Sequence, residues 1–489
     1  MDRGAQADQT AAGRDRHSGV KHGAGTCRGK PGRSKKEAPP PINLADGLPV
    51  AMEHFLPELF ELFRSLPDPR DPRRLYFPKD LLLMQALLIP LTHASSRRQY
   101  GRDCEVGSYR DNLSELLNRE IPELASADAV NYLLSKLAPD RMEAILPELA
   151  RRLIRSRALD RFRFDDCFLV AFDGTELMRQ TNRRHCSNCL TAEHRDGRID
   201  YFHQVVDAKL VTETGLTLSL GFKFIENEGG NYVKQDCEIK AFYRLAASIR
   251  QRFPRLHICA LGDALYACDR VIDLLIEYGW SFFLSFLPDR IPTLYAEAEA
   301  RLAANPQNSM TVRDGKRKET CTYRWVNNLK YRGKTLHAVY VDILPDDGEN
   351  VRLAFLTDFR ADKNNIVELV NQGGRQRAKI ENCFNTQKNH GYKLEHCYGA
   401  TGHALKNFYA IIQIGHLIHQ LMLHTDLISK LPGNSMKSTF RCAMTAYQTI
   451  HHFARTLAEA LRHKTFSCIR RLRQIAGNIQ LRFVTADSS

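Results

Sequence analysis

The sequence predicts an α/β protein: a mixed β-sheet flanked by helices, with one helical region before it and another after it. Three observations carry this. Apolar residues recur at helical spacing from about 50 to 160. Compact apolar runs then alternate with helical stretches from 167 to 287. Helical spacing returns over 402–425 and 436–475.

A chain of 489 residues favours several domains over one. With 43% hydrophobic residues it can bury substantial cores, which excludes a protein disordered throughout. A formal charge of +14 favours a polyanionic partner, nucleic acid ahead of an anionic membrane surface. No run of eighteen apolar residues occurs and the first residues lack the apolar core of a secretory signal, so neither a membrane span nor export is expected. The 13 cysteines are odd in number and scattered, and Cys167 and Cys259 sit inside apolar runs. Reduced thiols in a cytoplasmic protein follow as the simplest reading.

Taken in order, residues 1–45 read as a disordered basic arm: positions 1–40 hold nine basic and four acidic residues with little to bury. Residues 46–160 read as a helical DNA-binding domain. Leu56, Leu59, Phe60 and Phe63 share a helix face, Asp80 to Pro90 forms a second helix, and Ser126 caps a third. Arg98, Arg102, Arg151, Arg152 and Arg155 give this domain a basic surface suited to duplex. The first part of a sheet-bearing core covers 161–290. Strands are expected at Cys167–Phe172, Tyr201–Val211, Leu216–Ile225, Leu256–Leu261 and Ser281–Leu287, and helices at Gln235–Phe253 and Cys268–Tyr278. Residues 291–360 form a β-rich insertion, with strands at Thr320–Val326, Thr335–Leu344 and Val351–Leu356. Residues 361–400 return to the core with a helix from Arg375 to Asn389, and 401–489 form a C-terminal helical region.

Chemistry gathers at three acids. Asp173 and Asp263 each follow a buried strand immediately, and strand ends of such sheets are where ligand crevices form. The third, Glu381, lies on the helix bearing Arg377 and Lys388. At about 100° per residue both cations project within about 40° of the Glu381 direction. Ordinary i,i+4 ion pairing explains Arg377 on its own but leaves the two strand-end aspartates unexplained.

In these residues the chain resembles the DDE transposases of bacterial insertion sequences. One large subgroup places its third carboxylate in a signature of Tyr, two residues, Arg, three residues, Glu, six residues, Lys. Arg377, Glu381 and Lys388 fit that spacing, and Gly374 stands where the Tyr belongs. Phe172-Asp173-Gly174-Thr175, Ile380-Glu381-Asn382 and Asn389-His390-Gly391-Tyr392 add to the likeness, which runs from about 165 to 420.

The resemblance implies a ribonuclease H-like catalytic core, interrupted by the β-rich insertion before the Glu helix. It implies two Mg²⁺ or Mn²⁺ ions about 3.5–4 Å apart, bridged by Asp173 with Asp263 and Glu381 completing their shells. Water would cut at the element end, and the freed 3′-OH would attack target DNA, with Arg377 and Lys388 holding phosphates. The partners implied are double-stranded DNA at element ends and target, and a second protomer when two ends are joined, in a bacterial, nucleoid-associated setting. A metal-dependent nuclease of the same fold, or a DNA-binding protein that has lost catalysis, are the alternative readings.

Other signals carry less. His185, Cys186 and Cys189, with His194 and His203 nearby, admit a structural zinc, but one Cys-x-x-Cys without a closing pair favours a packed loop. Trp325 and Trp280 read as packed aromatics, and His416 and His419 as packed within an apolar helix. Asp236 and Glu238 read as mid-helix residues on a solvated face.

Overall fold

The apolar run leading to Asp173 forms an interior strand of the sheet that continues past the acid to Gln180 in the computed structural model, which describes residues 44–104, 108–181, 188–227, 235–315, 317–396, 398–399, 402–427, 446–466 and 481–483. The expected basic arm falls outside these up to residue 43, as does much of 436–475.

The N-terminal region is helical: α1 (Leu44–Phe55), α2 (Leu59–Ser65), α3 (Lys79–Leu91), α4 (Arg97–Cys104), α5 (Tyr109–Leu117), α6 (Ala127–Lys136), α7 (Pro139–Glu143) and α8 (Ile145–Arg155). The Ser126 hydroxyl accepts from Ala129 N at 3.2 Å and caps α6. The core elements follow: β1 (Phe168–Gln180), β2 (Leu190–Glu193), β3 (Ile199–Val211), β4 (Thr217–Ile225), α9 (Glu238–Arg252), β5 (Ile258–Gly262), α10 (Asp269–Glu277) and β6 (Ser281–Ser285). Next are α11 (Pro292–Ala304), β7 (Ser309–Asp314), β8 (Glu319–Tyr331), β9 (Lys334–Pro345), β10 (Val351–Thr357) and the short α12 (Ile366–Glu368). Then come α13 (Ala378–Asn389), α14 (Ala404–Leu423) and α15 (Ala446–His463).

One mixed sheet runs β2-β3-β1-β5-β6-β10-β9-β8-β7, with β4 also paired to β3. β1, β5 and β6 are mutually parallel, and β3 is antiparallel to β1. The expected insertion does not stand apart as a layer of its own. β10 pairs antiparallel with β6, so β7–β10 continue the central sheet and cover an edge that would otherwise expose unpaired backbone groups. The alternation along β1 sends Phe172 onto Phe242 of α9, with ring centroids 5.0 Å apart, and beside Trp280. From Pro41 onward the chain is one compact unit in which α3, α6 and α1 pack on α14 and α8 packs on β4.

The helix expected at 375–389 begins differently. Residues Leu369–Gly373 form a π-helical turn and Gly374–Arg377 a 3₁₀ turn before α13 starts. Gly373 and Gly374 explain the tight path. A Cβ on Gly373 would sit 2.6 Å from the Phe283 ring, and one on Gly374 would sit 2.7 Å from the Phe355 ring.

A buried polar network ties α13 to the sheet. Asp207 and Lys209 of β3 are almost wholly buried and pair at 3.0 Å. Tyr409 donates to Asp207 Oδ2 at 2.6 Å and Ser219 donates to Oδ1 at 2.7 Å. Lys209 also donates to Gln413 Oε1 at 2.6 Å, and the Gln413 and Gln387 amides exchange hydrogen bonds of 2.9 and 3.1 Å. Through Gln387, in α13, the charge pair on β3 sets where that helix lies. Lys209→Met therefore leaves a buried carboxylate without its cation, and we expect it to lower unfolding free energy by about 3–5 kcal/mol. Urea denaturation checks this; a loss below one kcal/mol on the order of a surface pair would show the pair to be dispensable.

Candidate active site

Parallel pairing places Val170 beside Ala260 and Ala171 beside Leu261; β5 then ends at Gly262, while β1 continues beyond Asp173 to Gln180 against β3. Continuing that register sets Asp173, inside β1, beside Asp263, the residue that follows the end of β5, so the sequence expectation of two strand-end acids holds for Asp263 alone. Asp263 N-caps the next turn, accepting from Leu265 N at 2.8 Å through Oδ1. Asp173 Oδ1 accepts from its neighbour Gly174 N at 3.0 Å.

Asp173 is the electrostatic focus. Its carboxyl is pushed up to about 7, first by burial and then by the charges of Glu238, Glu381 and Asp263, with Arg377 pulling the other way. All three acids expected from the sequence thus act on one spot, with Glu381 brought there by α13, which packs on β1, β3 and β4. Glu381 is about half exposed and paired with Arg377 at 2.7 Å, so the bland i,i+4 pairing is present as well. Lys388 pairs with Glu395 at 2.9 Å rather than facing solvent alone. Among the described residues, no three His, Cys, Asp or Glu side chains lie close enough to clasp one ion as they stand.

Glu238, which the sequence offered with Asp236 as a rival to the chosen acids but which read as a solvated mid-helix residue, lies at the site. Helix α9 starts at Glu238, three residues later than expected, with Cys237 as its N-cap. A supposed mid-helix residue becomes the first of the helix, and its carboxylate points into the site. A Cβ on Gly174 would lie 2.3 Å from Glu238 Oε2, so the missing side chain at Gly174 makes the room. Tyr266 donates to Glu238 Oε1 at 2.7 Å and Gln204 donates to Oε2 at 3.3 Å. Burial, then the neighbouring Asp263, raises the Glu238 pKa. Asp236 behaves differently: it pairs with Arg244 at 2.6 Å and has no part in the site. The signal available in the sequence was the Gly174 next to a strand-end acid, a position where something else must approach closely.

The structure fits divalent cations in charge and donor type. Carboxylate oxygens are hard donors, and the room at Gly174 that admits Glu238 Oε2 adds a further carboxylate next to Asp173. Cys186 of the considered zinc site lies outside the described residues. Cys189 is disulfide-bonded, unlike the free thiols expected throughout, and its Sγ is 3.5 Å from His203 Nε2. His194 pairs with Asp200 at 2.9 Å. Trp325 and Trp280 are buried. His419 packs between Tyr392, whose hydroxyl is 2.6 Å away, and Leu91 O, and burial lowers its pKa to about 4. In the helical region, Arg98, Arg102 and Arg110 line an open cleft of about 850 Å³ with the N-terminus of α6. No protein-family model matches this chain, and no curated protein matches it significantly.

Two predictions follow from the geometry. Asp173 binds its proton more tightly folded than unfolded, so its contribution to stability is complete below the ordinary carboxylate range and is lost as pH rises towards 7. Without metal, wild-type protein should lose more stability between about pH 5 and about pH 8 than Asp173→Asn does; parallel profiles would remove the burial argument. Gly374→Ala should cost about 1–3 kcal/mol by forcing a methyl into the Phe355 ring, read by denaturant unfolding, whereas an unchanged midpoint would show that the ring yields freely.

Proposed function

We propose that this chain is a DDE-type transposase, cutting double-stranded DNA at the ends of a bacterial insertion sequence and joining those ends to target DNA. The observation that carries the reading is Asp173, placed beside Asp263 on parallel strands and burdened by the charge of Glu381 from a helix more than two hundred residues on. A ribonuclease H-like core is the fold we infer, supported by the order β4-β3-β1-β5-β6 with β3 antiparallel and β1, β5 and β6 parallel.

Asp173, Asp263 and Glu381 would hold two Mg²⁺ or Mn²⁺ ions. Bound there, such ions screen the scissile phosphate and activate the attacking oxygen. The protein's own part is to fix one carboxylate within β1 and a second just after β5, and to bring the third on a helix anchored by Gln387. Arg377 lies within reach of the same crevice and is suited to a phosphate oxygen once DNA displaces Glu381 from it. The +14 charge and the arginine-lined cleft of the helical region support a long duplex contact. Joining two ends calls for two protomers, and the bacterial cytoplasm is the setting we infer; no helix of the described residues is long and apolar enough to cross a membrane.

The glycine at 374 bears on the reading of a decayed copy. Loss of a tyrosine from a packed site leaves a hole, but here the Phe355 ring occupies the space against Gly374. The packing is fitted to glycine, which supports an intact enzyme whose DNA contacts at this turn come from elsewhere.

The test uses purified full-length protein and a linear duplex carrying the sequences that flank its coding region. Cleavage and strand transfer should require Mg²⁺ or Mn²⁺. Asp173→Asn, Asp263→Asn and Glu381→Gln should each reduce both by about a thousandfold or more, while DNA affinity in gel shifts changes by no more than about threefold. A variant retaining full activity removes its residue from the site, and cleavage without strand transfer favours the nuclease.

A further inference from the structure

We propose that Glu238 is a fourth carboxylate of the same centre, facing the ions that Asp173 and Asp263 hold. This rests on the metal-dependent reading above. Three observations on independent elements meet in it.

The first is placement. Glu238 opens α9, and its carboxylate occupies the space that a side chain at position 174 would fill, directly next to Asp173 in the chain. The second is charge. Glu238 brings its carboxylate oxygen to within 2.3 Å of where a Cβ of residue 174 would stand, so a further acid adjoins the stretch of β1 that carries Asp173. Glu381, by contrast, is paired with Arg377. The third is the nature of its partners. Tyr266 and Gln204 donate one hydrogen bond to each oxygen, and both donors are neutral. They orient the carboxylate without cancelling its charge. A structural glutamate in a partly buried position normally gains a cation, as Glu143 does from Arg252 at 2.6 Å in this same chain. Glu238 instead faces acids, an arrangement that costs stability unless a cation enters.

Oxygen-ligand sites gain affinity for hard cations with each added carboxylate. Glu238→Gln keeps the size of the side chain and an acceptor for Tyr266 while removing the charge. The experiment titrates Mn²⁺ into the full-length, DNA-free protein by calorimetry and melts the same proteins in EDTA. Glu238→Gln should weaken Mn²⁺ binding by about tenfold or more, and its melting temperature in EDTA should equal or exceed that of wild type because like-charge repulsion is relieved. Wild-type Mn²⁺ affinity combined with a lower melting temperature would make Glu238 a structural cap and overturn the proposal. Asp173→Asn and Asp263→Asn separate the two readings. If both lose Mn²⁺ and Glu238→Gln does not, only the role of Glu238 fails; if both bind as wild type does, the metal-dependent reading itself fails. Should Glu238→Gln not fold, Glu238→Asp keeps the charge but withdraws it by one methylene, with weakened Mn²⁺ binding expected and wild-type affinity overturning the proposal.

Discussion

Asp173 stands directly opposite Asp207 in the β1–β3 pairing, and the candidate site depends on how differently these two carboxylates are treated. Like charges facing each other across a strand pair are destabilising. Asp207 is neutralised: Lys209 pairs with it, and Tyr409 and Ser219 supply the remaining hydrogen bonds, so both its oxygens are taken. It has nothing left to offer a ligand. Asp173 receives the reverse treatment, a single local backbone hydrogen bond and three further acids. Because the Asp207 network continues through Gln413 to Gln387, the same interaction that silences one aspartate also sets the helix that brings Glu381 to the other.

Much of this was legible in the sequence, for definite physical reasons. The runs ending at Asp173 and Asp263 are short, apolar and followed at once by an acid, and a buried strand meeting solvent produces that pattern. Both became strands, β1 and β5, but β1 does not stop at the acid: its pairing with β3 carries it on to Gln180, which places Asp173 within the strand. The Arg377–Glu381 pair was legible because helix geometry fixes neighbours four residues apart. What no local pattern contains is which strands lie together. The parallel pairing of β1 with β5, and the use of β10 to extend the sheet beyond β6, are long-range choices. Glu238 was misread for a smaller reason: a helix start placed three residues early turns its first residue into an interior one. Gly374 was legible as a departure, but its cause is a ring from β10, distant in the chain.

A strongly basic protein that gathers acids in one crevice sets up opposing demands. The net charge draws a polyanion in, yet the crevice repels each phosphate that approaches it. On the proposed reading, cations resolve the conflict. They bind more tightly when phosphate oxygens complete their shells, and phosphate binds more tightly when they are present. By linkage the two effects are equal in free energy. The acids then serve as a condition on DNA binding at that point, so that duplex can lie along the basic surfaces without engaging the crevice until ions arrive.

The two cations on either side of Glu381 in the sequence fit that order of events. Arg377 and Lys388 are each held by a glutamate about half exposed, Glu381 and Glu395. Ion pairs this open to water contribute only about 0–1 kcal/mol. A charge-assisted bond from arginine to phosphate in a site closed off from water is stronger. On the proposed reading, exchange of partners would be downhill with DNA in place: Arg377 would pass from Glu381 to phosphate, and Glu381 would be released to turn towards Asp173. The weakness of these pairs is what allows the third carboxylate to be stored beside the site rather than in it, limiting the repulsion on Asp173 while no cation is bound.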